Sequence, residues 1–168
     1  MTAVTPPLQP LSGAEEAVVR ALGRVIQVLP RVMDADLVRE QRLPLNEYMT
    51  LVNLSEAPDR QMRMNELAAA CFLSLSGMTR IVDRLVAEGL IERVRCPEDA
   101  RGWNAVLTDA GLTRLEQAYP AHLASVRRRV VDHLDGIDLA RLAQALQRFG
   151  TCGIDPTGAQ GEPCPESE

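Results

Sequence analysis

Residues 66–108 read ELAAACFLSLSGMTRIVDRLVAEGLIERVRCPEDARGWNAVLT. Within them Met78, Ile81, Val82 and Leu85 recur at steps of three and four, which puts them on one face of a helix over residues 74–88. Ser74 is its predicted N-cap, and Gly89 suits the left-handed residue that ends many helices. A shorter helix over residues 64–71, opened by Asn65 and Glu66, precedes it. Two short apolar stretches follow, at 90–95 and 103–107, with CPEDARG between them, the pattern of a hairpin with a longer loop. Helix, turn, helix and charged hairpin in this order spell a winged helix-turn-helix. Such a unit aims its second helix and its wing at adjacent grooves of a DNA duplex.

Working outward, Val18, Leu22, Val25, Leu29 and Val32 predict one long amphipathic helix over residues 12–42, which Pro30 should kink. A second helix is predicted from Pro44 or Leu45 to Ser55, with Tyr48, Leu51, Val52 and Leu54 on its apolar face and Glu56-Ala57-Pro58-Asp59 as its stop. Beyond the hairpin, Thr108 is expected to cap a helix whose stripe is Leu112, Leu115, Tyr119, Leu123, Val126, Val130 and Leu134, and Pro120 can bend it. After Asp135-Gly136 a last helix carries Ile137, Leu139, Leu142, Leu146 and Phe149. The fold class is therefore mainly α with a small β-hairpin wing. An arm at 1–11 precedes a single domain at 12–150, in which a winged unit at about 44–108 lies between helices at about 12–42 and 109–149. Residues 151–168 form an acidic tail rich in Pro and Gly, expected to be extended or disordered.

Composition narrows the function. A chain of 168 residues with 46% hydrophobic residues holds one core of ordinary size. No apolar run approaches the roughly 20 residues that cross a bilayer, and the amino terminus lacks a basic start and an apolar signal core. No membrane association is expected, and the cytoplasm is the expected location. The net charge of −5 argues against indiscriminate coating of nucleic acid. Residues 60–102, however, carry seven arginines against six acids, net +1, which leaves −6 for the remainder. All 18 basic residues are arginine, whose planar fork grips phosphate or guanine with paired hydrogen bonds.

The four cysteines, at 71, 96, 152 and 164, form no CxxC pair, and His122 and His133 lack a ligand cluster, so no metal or cofactor is expected. Cys71 is expected in the core. Neither a phosphate-cradling glycine loop nor a nucleophile elbow nor paired catalytic carboxylates occur, and no enzyme is expected.

The segment LSLSGMTRIVDRLVAEGLIERVRCPEDARG, followed by VLTDAG, resembles the multiple-antibiotic-resistance-type (MarR-type) regulators, and the resemblance spans roughly residues 12–150. It implies a homodimer, built through the flanking helices, that acts as a repressor on a pseudo-palindromic operator. Two recognition helices would then stand about one DNA turn apart, roughly 34 Å. It also implies release by a small, phenolic or anionic effector, whose site the sequence leaves unassigned. Tyr48, Arg20 and Arg24 are conceivable pocket groups, against the plainer reading of a core tyrosine and solvated arginines. Asp99 and Arg101 match the family's Asp-x-Arg pattern, in which the acid braces the wing and the arginine enters the minor groove.

Helical spacing turns Ser76, Gly77, Thr79, Arg80 and Arg84 away from the apolar stripe, so that with Ser74 they form a small, polar and basic face. Arg84 fits a DNA contact or a surface ion pair equally. Asp83 is expected to pair with a neighbouring arginine, since a bare acid would repel phosphate. On the first wing strand Arg95 is a candidate phosphate contact, as is Arg93. Phe72 occupies the turn where many helix-turn-helix proteins have glycine. Because a positive φ suits phenylalanine poorly, the turn is expected to be built otherwise, with Phe72 packed on a neighbouring helix. Two alternatives stand beside DNA reading: a winged-helix protein-interaction module, and a redox-sensing regulator acting through Cys96 beside Arg95. The tail cysteines, Cys152 and Cys164, have no assigned role.

Overall fold

Most of the helices begin where a side chain accepts from one of their first free backbone N–H groups. A computed structural model describes residues 9–96 and 99–151, with α1 at Gly13–Gln41, α2 at Leu45–Glu56, β1 at Gln61–Arg63, α3 at Met64–Ala70 and α4 at Leu75–Ala87. It continues with β2 at Ile91–Cys96, β3 at Asp99–Leu107, α5 at Asp109–Arg129 and α6 at Leu139–Thr151. Ser12 caps α1 in a reciprocal box, the Glu15 carboxylate accepting from the Ser12 N–H at 2.7 Å. Ser74 and Thr108 cap α4 and α5, accepting from the N–H of Gly77 at 3.2 Å and of Gly111 at 3.0 Å. For α2, whose Pro44 has no capping side chain, Asp34 reaches across from α1 and accepts from the Leu45 N–H at 2.8 Å. α1 runs through Pro30 without interruption.

The wing is larger than a hairpin. β1 adds a third antiparallel strand in the order β1-β3-β2, and β3 starts at Asp99 instead of Trp103. Most of the expected loop is thus strand: Arg95 pairs with Trp103 and Cys96 with Asp99, with an irregularity between the two. β1 spans only three residues, too few for any periodicity to betray it.

The core forms one cluster. Leu51 and Leu54 from α2, Leu67 from α3, Met78, Val82 and Leu85 from α4, Ile91 from β2 and Ala105 from β3 are all essentially inaccessible to water. At Gly111 a Cβ would overlap the Leu90 carbonyl oxygen, so glycine there lets α5 lie directly on the start of the wing. α5 itself departs from the expected single stripe. It ends at Arg129, before Val130 and Leu134, and its fully buried residues are Gly111, Ala118 and Ser125, whereas Tyr119 and Leu123 are exposed. Small side chains on the inner face let α1 and α2 approach closely. Leu112 and Leu115 pack against the core, whereas Tyr119 and Leu123 point outward.

α1 and α5 are fastened by a buried carboxylate. Asp36, 2% exposed, accepts from Ser125 Oγ at 2.9 Å, from Arg128 at 2.8 Å and from Arg129 at 3.1 Å, and pairs with Arg39 at 3.1 Å. Hydrogen bonds from Arg129 and Arg128 hold its carboxyl well below the usual carboxylate range. Cys71 lies half-buried beside Thr50 and Asn53, and burial pushes its thiol pKa up.

Candidate nucleic-acid interface

The recognition helix of the sequence reading is α4, and its apolar face is fully committed: Met78, Val82 and Leu85 are 0% exposed and Ile81 6%. What remains outward is its N-terminal tip and one flank. Ser74 and Ser76 are exposed at the tip, their hydroxyls 3.2 Å apart, and Thr79 donates to the Leu75 carbonyl at 2.8 Å. A Cβ at Gly77 would come within 3.2 Å of Ser74 Oγ, so glycine keeps the cap intact and the surface low. Arg80 is exposed and has no hydrogen-bond or ion-pair partner among the described residues. It is therefore available to an external acceptor, be it phosphate or a base edge.

The neighbouring charges are held by the protein. Asp83 pairs with Arg93 of β2 at 2.8 Å, and Arg93 also donates to the Thr79 carbonyl at 3.3 Å, so one side chain locks the wing onto α4. The expected ion pair of Asp83 is thus present, with a wing arginine as its partner. Arg84 takes the ion-pair option left open by the sequence: its Nε lies 2.6 Å from Glu47, a buried residue of α2, while about half of the side chain stays exposed. α4 is braced on both flanks, to α2 through Arg84 and to the wing through Arg93. The sequence allowed both ion pairs but named neither partner element. The partners lie 37 residues away in the first case and 10 in the second, on elements whose relative rotation no local pattern specifies.

On the wing, Arg95 lies over the Trp103 ring, 4.8 Å from its centroid, and both are exposed. Asp99 and Arg101 belong to β3 by their backbone, and their side chains lie outside the described residues. Residues 97 and 98, the arm up to residue 8, and the tail with Cys152 and Cys164 also lie outside them. Cys96 is 6% exposed, so an oxidant in water meets little of its thiol. Tyr48 is a core residue, its ring centroid 4.4 Å from that of His122, and Arg20 pairs with Glu16 on the surface. Among the described residues no group of three His, Cys, Asp or Glu side chains is placed to hold a metal ion. No described helix is long and apolar enough to cross a membrane.

One expectation fails outright. Phe72 adopts φ +54°, the left-handed conformation that the turn was expected to avoid, and its side chain, expected to pack on a neighbouring helix, is 91% exposed. The end of α3 simply closes as helices commonly do, and it does so without a glycine.

This architecture has known counterparts. Residues 43–102 match the model of the MarR family. The chain is 28% identical over 137 residues to the multiple antibiotic resistance protein MarR of Escherichia coli strain K12, an alignment covering 76% of this chain and 89% of that protein. Among solved structures it is similar to AbsC, a MarR family transcriptional regulator from Streptomyces coelicolor. That match has a TM-score of 0.75 and 35% identity and covers 85% of this chain and 96% of the other. It is also similar to Sco3205, another MarR family transcriptional regulator from Streptomyces coelicolor, crystallised in complex with DNA. There the TM-score is 0.80 with 32% identity, covering 92% of this chain and 97% of the other.

Proposed function

The chain belongs to the MarR family of transcriptional regulators, and from that premise we propose that it represses by occupying a specific, pseudo-palindromic operator as a homodimer. The exposed tip of α4 carries this reading. Ser74, Ser76, Gly77 and Thr79 make a small polar surface that fits a major groove, and Arg80 extends from it with no partner among the described residues. Arg101 enters the neighbouring minor groove, where a narrow groove concentrates negative potential, and Asp99 braces the wing that carries it. Arg95 and the exposed part of Arg84 contact phosphates on either side.

Homodimerisation is supported by an apolar groove of about 650 Å³ between α1, α6 and the end of α5, lined by Val25, Val28, Leu29, Val32, Leu142 and Leu146. A second copy covers it and sets two α4 helices at the spacing of successive major grooves. A small-molecule effector that binds better to dimers of a different spacing releases the operator. A chromosomal operator places the protein in the cytoplasm.

A mobility-shift experiment with the full chain and the DNA upstream of its own gene tests this. Specific retardation is expected, lost on Arg80→Ala and on Arg101→Ala. Absence of retardation even at low salt overturns DNA reading, and the acidic net charge of −5 then favours a protein-interaction module.

A further inference from the structure

α3 and α4 end in the same hydrogen-bonded motif. After α4, the Gly89 N–H donates to the Val86 carbonyl at 3.0 Å and the Leu90 N–H to the Leu85 carbonyl at 2.9 Å, with Gly89 at φ +74°. After α3, the Phe72 N–H donates to the Ala69 carbonyl at 3.0 Å and the Leu73 N–H to the Ala68 carbonyl at 2.9 Å, with Phe72 at φ +54°. The bonding is that of a helix closed by one left-handed residue, a place where glycine is favoured because it has no Cβ to clash with the following carbonyl. Phenylalanine is strained there.

Strain in a folded chain persists where the surroundings offset it or where function retains it. Among the described residues no packing of the side chain offsets it: at 91% Phe72 is the most exposed large apolar residue described. Its partner in the motif, Leu73, already supplies the core contact. The position is specific. Phe72 stands two residues ahead of Ser74, the cap of α4, and Leu75 on the other side of that cap is 53% exposed. The two apolar side chains thus bracket the tip that presents Ser76 and Gly77.

The geometry points to Phe72 as a specificity-determining DNA contact that packs against a thymine methyl group at the edge of the major groove, an inference that rests on the operator-binding reading above. A phenyl ring offers neither charge nor a hydrogen bond, so it gains nothing from phosphate. Of the groups that the four base pairs present in the major groove, the thymine methyl alone is apolar. A ring held out on a left-handed turn, beside small polar neighbours, meets that methyl from the side while Arg80 reaches deeper along the same helix.

The test uses duplexes selected by the full chain from a random library, remade with uracil for each thymine in turn, which deletes one methyl at a time. One thymine per half-site is expected whose methyl removal weakens binding about fourfold. Phe72→Gly weakens binding to the thymine duplex at least as much and no longer responds to that uracil. The same variant unfolds about 2–4 °C higher than the parent, because the strain is gone, which separates the contact from any effect on folding. The inference is overturned if Phe72→Gly binds as the parent does or responds to every uracil as the parent does. A change in sedimentation with unchanged DNA affinity also overturns it, giving Phe72 to a protein contact. If no duplex is selected, the operator reading falls and takes the inference with it. If selected duplexes are lost on Arg80→Ala but not on Phe72→Gly, the inference fails alone.

Discussion

In the winged unit Leu51, Met78 and Leu85 are 0% exposed, whereas Val18, Ile26 and Phe149 in the outer helices are 62%, 65% and 60% exposed. Both sets come from the same kind of amphipathic repeat, and α6 is as two-faced as α4. The difference lies in what covers them. α4 is enclosed by α2, α3 and the wing within one chain, while the distal part of α1 and all of α6 present their apolar faces outward. One region is a finished core. The other leaves apolar residues uncovered within the chain, as the proposed dimer requires.

The largest effect should separate these two regions. Leu85→Ala leaves a cavity in the closed core and should lower unfolding free energy by about 2–5 kcal/mol in chemical denaturation. Leu146→Asp, by contrast, puts a charge in the open groove. It should leave the winged unit folded by circular dichroism and convert dimers to monomers in analytical ultracentrifugation. A Leu146→Asp protein that unfolds like Leu85→Ala would show that the groove is part of the monomer's own core and break the distinction.

The seam between the regions comes next. Removing the Asp36 carboxylate strips charge-assisted bonds from Arg128 and Arg129 and leaves the buried Ser125 hydroxyl with a poorer acceptor. Because the arginines remain partly hydrated, Asp36→Asn should cost about 2 kcal/mol, well below what a fully buried pair would give. The sign with pH follows from a folded pKa held below the ordinary value: the stabilisation is complete above the unfolded value near 4 and is lost as pH falls below it. The acid limb of the stability curve should therefore be flatter in Asp36→Asn than in the parent. Equal acid limbs would mean that Asp36 is already neutral or solvated in the folded protein.

How much of this was legible follows from the range of the interactions. The stripe Met78, Ile81, Val82, Leu85 and the caps Ser74 and Thr108 are local, and periodicity with capping chemistry located them within a residue or so. On α5 the stripe held at Leu112 and Leu115 but was misread at Tyr119 and Leu123, because two faces compete there. Large side chains dominate a hydrophobicity pattern, yet Gly111, Ala118 and Ser125 face inward because close helix contact needs small groups. Asp36, Glu47 and Arg93 were illegible as braces, since their partners are joined by tertiary packing. Phe72 was misjudged for another reason: a general preference against left-handed phenylalanine was outweighed here by the closing hydrogen bonds of α3 and the core contact of Leu73. The outward face of α4 was legible as a set, but which of its arginines the protein itself ties down was not.

Binding provides a finer contrast within the winged unit. Arg80→Ala should leave thermal stability within about 0.5 kcal/mol of the parent while weakening operator binding by about 1–3 kcal/mol, because Arg80 has no partner among the described residues to lose. Arg93→Ala should do both kinds of damage, freeing Asp83 to repel phosphate and unlocking the wing from α4. Thermal melts alongside mobility shifts read the two quantities independently. If Arg80→Ala binds as tightly as the parent, the exposed flank of α4 is a solvated face and the wing alone reads DNA.

The smallest expected effect lies where α2 of the winged unit meets α5, at the tilted ring pair of Tyr48 and His122. Burial pushes the His122 pKa below its ordinary 6.5 and raises that of Tyr48, because the low-dielectric seam disfavours the charged form of each. The unfolded chain then binds the histidine proton first as pH falls. Stability present above the unfolded value is lost as pH falls from there through the folded pKa, giving a shallow decline over the interval that begins near the unfolded value. His122→Phe keeps an aromatic ring against Tyr48 and removes the proton site. Its stability should be level over that interval in urea titrations. A decline that persists unchanged in His122→Phe would assign it to another group and show that the seam admits enough water to solvate an imidazolium, making the join between reading unit and outer helices looser than the core it borders.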